Sequence, residues 1–167
     1  YLLKAERSSR NLLAILNNLF DMSRAESGEI TANETKFSLA EVISPLADQY
    51  SVKTGNKELF FNVMIHQKMD EVYFGDSLKL SQILNHLLAN AVKFTPKGGE
   101  VRLEISLENQ EDDKQWISFQ VTDTGCGVAI ENRERIFEMF EKEGRDKDTL
   151  NDGTGLGLSI VKRYVTM

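Results

Sequence analysis

The chain contains a single cysteine, Cys126, among 167 residues, so no disulfide forms within it and the composition fits a reducing compartment. No apolar run approaches the roughly 20 residues that cross a bilayer, and no signal-peptide pattern opens the chain. Base is not in excess: 20 Lys and Arg stand against 26 Asp and Glu, a net charge of −6. That argues against a protein that binds nucleic acid by neutralising its backbone, and it means that an anionic ligand needs local help. Repeats and low-complexity tracts are missing too. With 41% hydrophobic and 28% charged residues, collagen-like and disordered classes are excluded. The length suffices for one full core and not for two.

What is present is periodic. From Leu2 to Arg24 there is no Gly or Pro, and Leu12, Leu13, Leu16, Leu19 and Phe20 mark one helical face. Ser27-Gly28 ends this helix. The chain opens at Tyr1 inside that pattern and stops at Met167 inside another helix, and is read as a piece of a longer protein. The organisation expected is a helical segment over 1–30, a linker over 31–36 and a folded domain over 37–167. Within that domain a helix is expected from Leu39 to Lys53 with a turn at Thr54-Gly55-Asn56, then strands over Glu58–Ile65 and Val72–Phe74. Asp76 stands as N-cap of a helix over Ser77–Phe94 that Thr95-Pro96 closes. Val101, Leu103, Ile105 and Leu107 alternate, as do Ile117, Phe119 and Val121, which predicts two antiparallel strands with one buried face. A glycine loop, a helix near Glu131–Phe140, a charged run from Glu141 to Asp152, a second glycine cluster and a last helix complete the order. The fold class expected is an α/β sandwich: one mixed, mainly antiparallel sheet covered on one face by helices, preceded by the long N-terminal helix.

Three segments carry chemistry. On the helix Ser77–Phe94, Leu80, Ile83, Leu84, Leu87, Leu88 and Ala91 form the core stripe, and Gln82, His86, Asn90 and Lys93 form a second stripe beside it. Asn is a poor residue for a helix interior. Its amide oxygen at that edge suits a hard cation such as Mg²⁺, which takes few protein oxygens and completes its shell with water and phosphate; an ordinary polar face is the plainer alternative. Asp123 shares the parity of Ile117, Phe119 and Val121, so its carboxylate is expected toward the inner face, ahead of Thr124-Gly125-Cys126-Gly127. There it either holds an amino group such as that of adenine or serves its own turn. Gly153-Thr154-Gly155-Leu156-Gly157 precedes an apolar helix start, either an anion site built from free N–H groups or a hinge. The spacing is neither a Walker A loop nor a dinucleotide fingerprint. Lys142, Arg145 and Lys147 in the charged run read as cations of a lid.

Taken in order, these segments resemble the nucleotide-binding domain of sensor histidine kinases, within the superfamily of gyrase, chaperone, kinase and mismatch-repair ATPases. His86-x-x-x-Asn90-Ala-x-Lys93-Phe94-Thr95 resembles the N box, Asp123-Thr124-Gly125-Cys126-Gly127 the first glycine box, Phe137–Phe140 the F box and Gly153–Gly157 the second glycine box. Tyr1 to Ile30, with Asp21-Met22-Ser23-Arg24-x-Glu26-x-Gly28, resembles the second helix of the family's dimerisation hairpin. The resemblance implies ATP and Mg²⁺ as cofactors. Asn90 is then the Mg²⁺ ligand, Lys93 a phosphate contact, Phe94 a wall of the adenine slot and Asp123 the holder of the adenine amine. Gly125, Gly127, Gly153, Thr154, Gly155, Leu156 and Gly157 shape the ligand loops and lid hinges, and Lys142 belongs to the lid. It further implies transfer of the γ-phosphoryl group to a histidine on the first hairpin helix, homodimerisation of the parent, and a response regulator receiver domain as partner. No nucleic acid partner is expected. The domain is expected to be cytoplasmic, in a parent that is either soluble or anchored by membrane segments elsewhere.

Two departures bear on chemistry. His86 stands where water-activating members carry Glu as general base, which points to transfer onto an imidazole and makes His86 the candidate catalytic residue. The only other histidine, His66, ends a strand, unlike an acceptor exposed on a helix, so this chain is expected not to phosphorylate itself. Ala129 replaces a frequent Pro. The alternatives are a dimerising scaffold with a degenerate site, or an ATP-hydrolysing relative. An aspartic protease shares the Asp-Thr-Gly triplet, but it needs two such carboxylates.

Overall fold

The computed structural model describes residues 32–67, 70–112, 114–138 and 155–166. The helix expected over Leu2–Arg24, the charged run from Glu141 to Asp152, and Lys142, Gly153 and Thr154 lie outside the described residues. One compact unit spans Asn33–Val128, and a second takes in Ala129–Met167.

In the larger unit, Ser38 opens the first helix. Its hydroxyl accepts the Ala40 N–H at 3.2 Å, and Glu41 Oε2 accepts the Ser38 N–H at 3.3 Å, a capping box that satisfies donors without partners inside the helix. Helix α1 (Leu39–Lys57) runs one turn past the expected end at Lys53. The reason is Thr54, which is buried and donates its hydroxyl to the Tyr50 carbonyl at 2.7 Å, so Thr54-Gly55-Asn56 stays helical. Termination falls to Glu58, in the left-handed conformation at φ 56°, with the Glu58 and Leu59 N–H groups on the Gly55 and Thr54 carbonyls. Strand β2 (Phe60–Ile65) therefore begins later than the expected Glu58.

Thr35 and Lys36, within the stretch read as a linker, belong to strand β1 (Thr35–Phe37), which pairs antiparallel with β3 (Tyr73–Gly75). This two-stranded ribbon is separate from the main sheet, where a single sheet was expected. The main sheet has the order β2-β4-β5, with β4 (Glu100–Glu111) parallel to β2 and antiparallel to β5 (Lys114–Asp123). A parallel pair needs a crossover, and α2 (Ser77–Phe94) lies in it. Alternation sets the faces: Val101, Leu103 and Ile105 of β4 are fully buried against Val42, Ile43, Leu46 and Tyr50 of α1 and Leu84, Leu88 and Ala91 of α2. Phe61, Val63, Ile117, Phe119 and Val121 flank them. The register of β4 with β5 shifts between Leu107 and Asn109, and Trp116 pairs with Asn109 just beyond the shift. The architecture is the expected α/β sandwich, with a mixed sheet under two helices.

In the second unit, the helix expected near Glu131–Phe140 is replaced by two 3₁₀ turns, Ile130–Asn132 and Arg135–Phe137. Neither turn buries a side chain, and without an apolar stripe to cover, propensity alone does not sustain a longer helix. Helix α3 (Gly157–Val165) buries Ser159, Ile160 and Val161 and packs on the second turn.

Candidate functional site

Helix α2 is fixed at both ends. At its start the Asp76 carboxylate accepts the Lys79 N–H at 3.0 Å, Lys79 Nζ at 2.7 Å and the Asn33 N–H at 2.9 Å. Burial alone pushes this carboxyl up, but the hydrogen bonds from Lys79 and Asn33 outweigh it and hold it below its ordinary 3.8. In the middle, Tyr50 Oη lies 2.8 Å from Asn85 Oδ1 and 2.9 Å from the Asn85 carbonyl, joining the two helices, and burial pushes the phenol up to about 12.

At its end, the last four carbonyls of a helix have no partner within it. Here the Ala91 carbonyl accepts the Thr95 N–H at 3.0 Å and the Thr95 hydroxyl at 2.6 Å. The next two, of Val92 and Lys93, accept Lys57 Nζ at 2.7 and 2.8 Å. The C-terminal half of this helix displays the residues singled out in the sequence. His86, Asn90 and Lys93 are half-buried along one edge, and Phe94 is 45% exposed. Lys93 Nζ sits 4.6 Å from the centre of the Phe94 ring, a cation over an aromatic face. Burial pushes the His86 imidazole below its ordinary 6.5, so it is neutral at pH 7. Among the described residues neither the His86 ring nor the Asn90 amide has a hydrogen-bonding partner.

The loop after β5 meets this turn by backbone contact. A Cβ on Gly125 falls 2.8 Å from the Phe94 carbonyl oxygen and 2.7 Å from Asp123 Oδ1, so only glycine lets the loop lie against the end of α2. A Cβ on Gly99 meets Thr95 Cγ2 and lies 2.7 Å from Thr124 Oγ1, a second close approach. Thr124 ties the same corner, its N–H donating to the Glu100 carbonyl and its hydroxyl accepting the Glu100 N–H. Asp123 is exposed, not buried as its parity suggested. It lies at the last pair of the β4–β5 ladder, opposite Val101, where no further strand residues cover it. Its Oδ1 accepts the Gly125 N–H at 2.8 Å, and Oδ2 has no protein donor among the described residues. The two readings of this carboxylate are therefore compatible: one oxygen serves the turn and the other faces outward. Gly127 has φ +67° and nothing within 4 Å of a Cβ, the open, left-handed position at which glycine frees space. Cys126 between them is exposed.

The structure thus brings Asn90, Lys93, Phe94, Asp123, Gly125 and Gly127 onto one corner of the larger unit, with His86 one turn below. In the second unit Gly155 has φ +71°, Leu156 is buried and Gly157 is the first residue of α3, whose N-terminus no side chain caps. Sequence reasoning missed Lys57 and Gly99. Gly99 was legible as half of a Gly-Gly turn, whereas Lys57 carries no local signal, since its acceptors lie 35 and 36 residues away.

An amide and an ammonium near a helix end thus lie beside a carboxylate on a glycine turn, in a protein of the α/β sandwich class. Residues 75–167 match the histidine kinase-, DNA gyrase B-, and HSP90-like ATPase family, and the chain belongs to it. It is 34% identical over 161 residues to hybrid signal transduction histidine kinase D of Dictyostelium discoideum, covering 96% of this chain and 10% of that protein. It is 31% identical over 160 residues to the histidine-protein kinase BarA of Escherichia coli K12, covering 96% of this chain and 17% of BarA. The crystal structure of full-length ShkA in complex with AMPPNP superposes with a TM-score of 0.77 at 29% identity, over 96% of this chain and 32% of ShkA. The chain thus spans a minor part of the length of each of these relatives.

Proposed function

We propose that this chain is the ATP-binding catalytic portion of a sensor histidine kinase, and that it transfers the γ-phosphoryl group of ATP to a histidine on a dimerisation hairpin. The observation that carries the reading is the packing of Gly125 on the Phe94 carbonyl, which sets Asp123 beside the turn that bears Asn90 and Lys93. In this reading Asp123 Oδ2 accepts the adenine amine, Phe94 flanks the base and Lys93 turns from its ring to the phosphates. The Asn90 amide oxygen, without a partner among the described residues, fits Mg²⁺. Among the described residues no three His, Cys, Asp or Glu side chains cluster, and Mg²⁺ held by one amide oxygen would complete its shell with phosphate and water. When bound, Mg²⁺ neutralises charge on the transferring phosphoryl group. The rest of the chemistry is positioning, which asks for no covalent group from this domain. Among the described residues no group accepts a hydrogen bond from the His86 ring to orient it, so His86 lacks the partner that positions a base toward water, in keeping with transfer to an imidazole that is already nucleophilic.

By the family resemblance, residues 1–30 are the second hairpin helix, and the ATP-binding domain runs to 167 from strand β1, which takes Thr35 and Lys36 out of the expected linker. Gly153, Thr154, Gly155, Leu156, Gly157 and Lys142 serve the phosphates and the lid. The partners are a hairpin bearing the phosphoacceptor histidine, a second copy in the parent protein, and a response regulator receiver domain. No helix among the described residues is long and apolar enough to cross a membrane. The proposed place is the cytoplasm, where ATP is available, with any anchor in other parts of the parent.

The test is incubation of the chain with γ-labelled ATP, Mg²⁺ and a separately supplied hairpin carrying the histidine. Label on the hairpin, and none on the chain alone, is expected. Stabilisation by excess Mg²⁺-ATP of about 2.7 kcal/mol at a hundredfold excess over Kd accompanies it. Label released only as inorganic phosphate would favour an ATP-hydrolysing relative, and no stabilisation at all would leave a scaffold.

A further inference from the structure

We propose that Lys57 is a positioning residue of the nucleotide site: it locks the last turn of α2 and offsets the negative end of that helix, so that the turn bearing Asn90 and Lys93 can face a polyphosphate. The proposal rests on the nucleotide reading given above and adds a residue that lies outside every motif of that reading.

A helix C-terminus carries partial negative charge on its free carbonyls, and that charge repels an anion brought close to it. The end of α2 therefore works against the ligand that its side chains are placed to hold. Two of the exposed carbonyls, those of Val92 and Lys93, are the ones that Lys57 Nζ contacts, at 2.7 and 2.8 Å. The ammonium arrives from another element, the last residue of α1, and its position is itself fixed, because Glu58 in its left-handed conformation caps that helix immediately after it. Glu58 is held in turn, its carbonyl accepting the Gly98 N–H at 2.9 Å and its carboxylate pairing with Lys97 at 2.6 Å. Among the described residues no carboxylate pairs with Lys57, and its two acceptors are both carbonyls at the end of α2. A lysine stem long enough to reach two carbonyls is more than a helix cap requires, since Thr95 closes the preceding carbonyl without any charge.

The experiment is calorimetric titration of the 167-residue chain with ATP, ADP and AMP, each with Mg²⁺, for the wild type and for Lys57→Arg, Lys57→Gln and Lys57→Met. Arginine keeps both charge and donors; glutamine keeps a shorter, neutral donor. Lys57→Met and Lys57→Gln are expected to weaken ATP by roughly three- to thirtyfold, ADP by less and AMP hardly at all, and Lys57→Arg to hold ATP within about twofold. A loss graded by phosphate number is what a merely structural brace does not produce. If Lys57→Met does not fold, as judged by circular dichroism, Lys57→Gln carries the comparison. Wild-type affinity for ATP in the neutral variants, or an equal loss of all three nucleotides, overturns the role of Lys57 alone. Failure of the wild type to bind any of the three overturns the nucleotide reading and this inference with it.

Discussion

At the scale of single residues, the corner is organised by what a carboxylate and a glycine each give up. Asp123 commits Oδ1 to the Gly125 N–H and keeps Oδ2 outward. Asp123→Asn preserves the turn, because an amide oxygen accepts the same bond, while it presents a donor to the adenine amine. ATP affinity should fall by about tenfold or more with the fold intact; unchanged affinity by calorimetry would remove Asp123 from adenine recognition. Cys126 is exposed in the same loop, so its alkylation should slow when Mg²⁺-ATP is added. Equal labelling rates with and without nucleotide would place the ligand elsewhere.

At the scale of elements, α2 joins core to site, since Leu84 and Leu88 are fully buried on one stripe while Asn90 and Lys93 lie on the next. Leu88→Ala should destabilise the chain by about 2–5 kcal/mol in denaturant unfolding and weaken ATP binding only in proportion to the unfolded fraction. A large affinity loss in fully folded protein would show that the stripes are coupled. This helix was legible in the sequence because its signals are local: a 3.6-residue period, an N-cap at Asp76 and a stop at Thr95-Pro96. The alternation of β4 and β5 was legible for the same reason. Helix α1 was legible only as far as Lys53, because Gly55 looks like a terminator until the buried Thr54 hydroxyl is seen to keep the turn helical. The inward parity of Asp123 was readable, but its exposure was not, since that depends on where the sheet ends. Lys57 was invisible because side-chain-to-backbone bonds across 35 residues leave no pattern in the chain.

At the scale of the whole molecule, two groups among the described residues contribute to the response to acid in separate windows. His86 is held below its ordinary 6.5 by burial, so the unfolded chain takes up that proton first. Its contribution to stability is whole above pH 6.5 and is lost as pH falls below that value toward the folded-state value. Asp76 is held below its ordinary 3.8, so its contribution persists through that range and is lost only at lower pH. Thermal midpoints should therefore decline as pH falls below about 6.5, and less steeply in His86→Gln than in the wild type. Identical slopes would exclude His86 as the source.

The sheet also separates the sole tryptophan from the proposed ligand. Trp116 is 47% exposed beside the register shift and sits on the same strand as Asp123, about 24 Å away at the rise of an extended chain. Its emission is accordingly an optical gauge of global unfolding that stays silent when nucleotide arrives, so fluorescence can report the integrity of any variant in the same cuvette in which binding is followed by another signal.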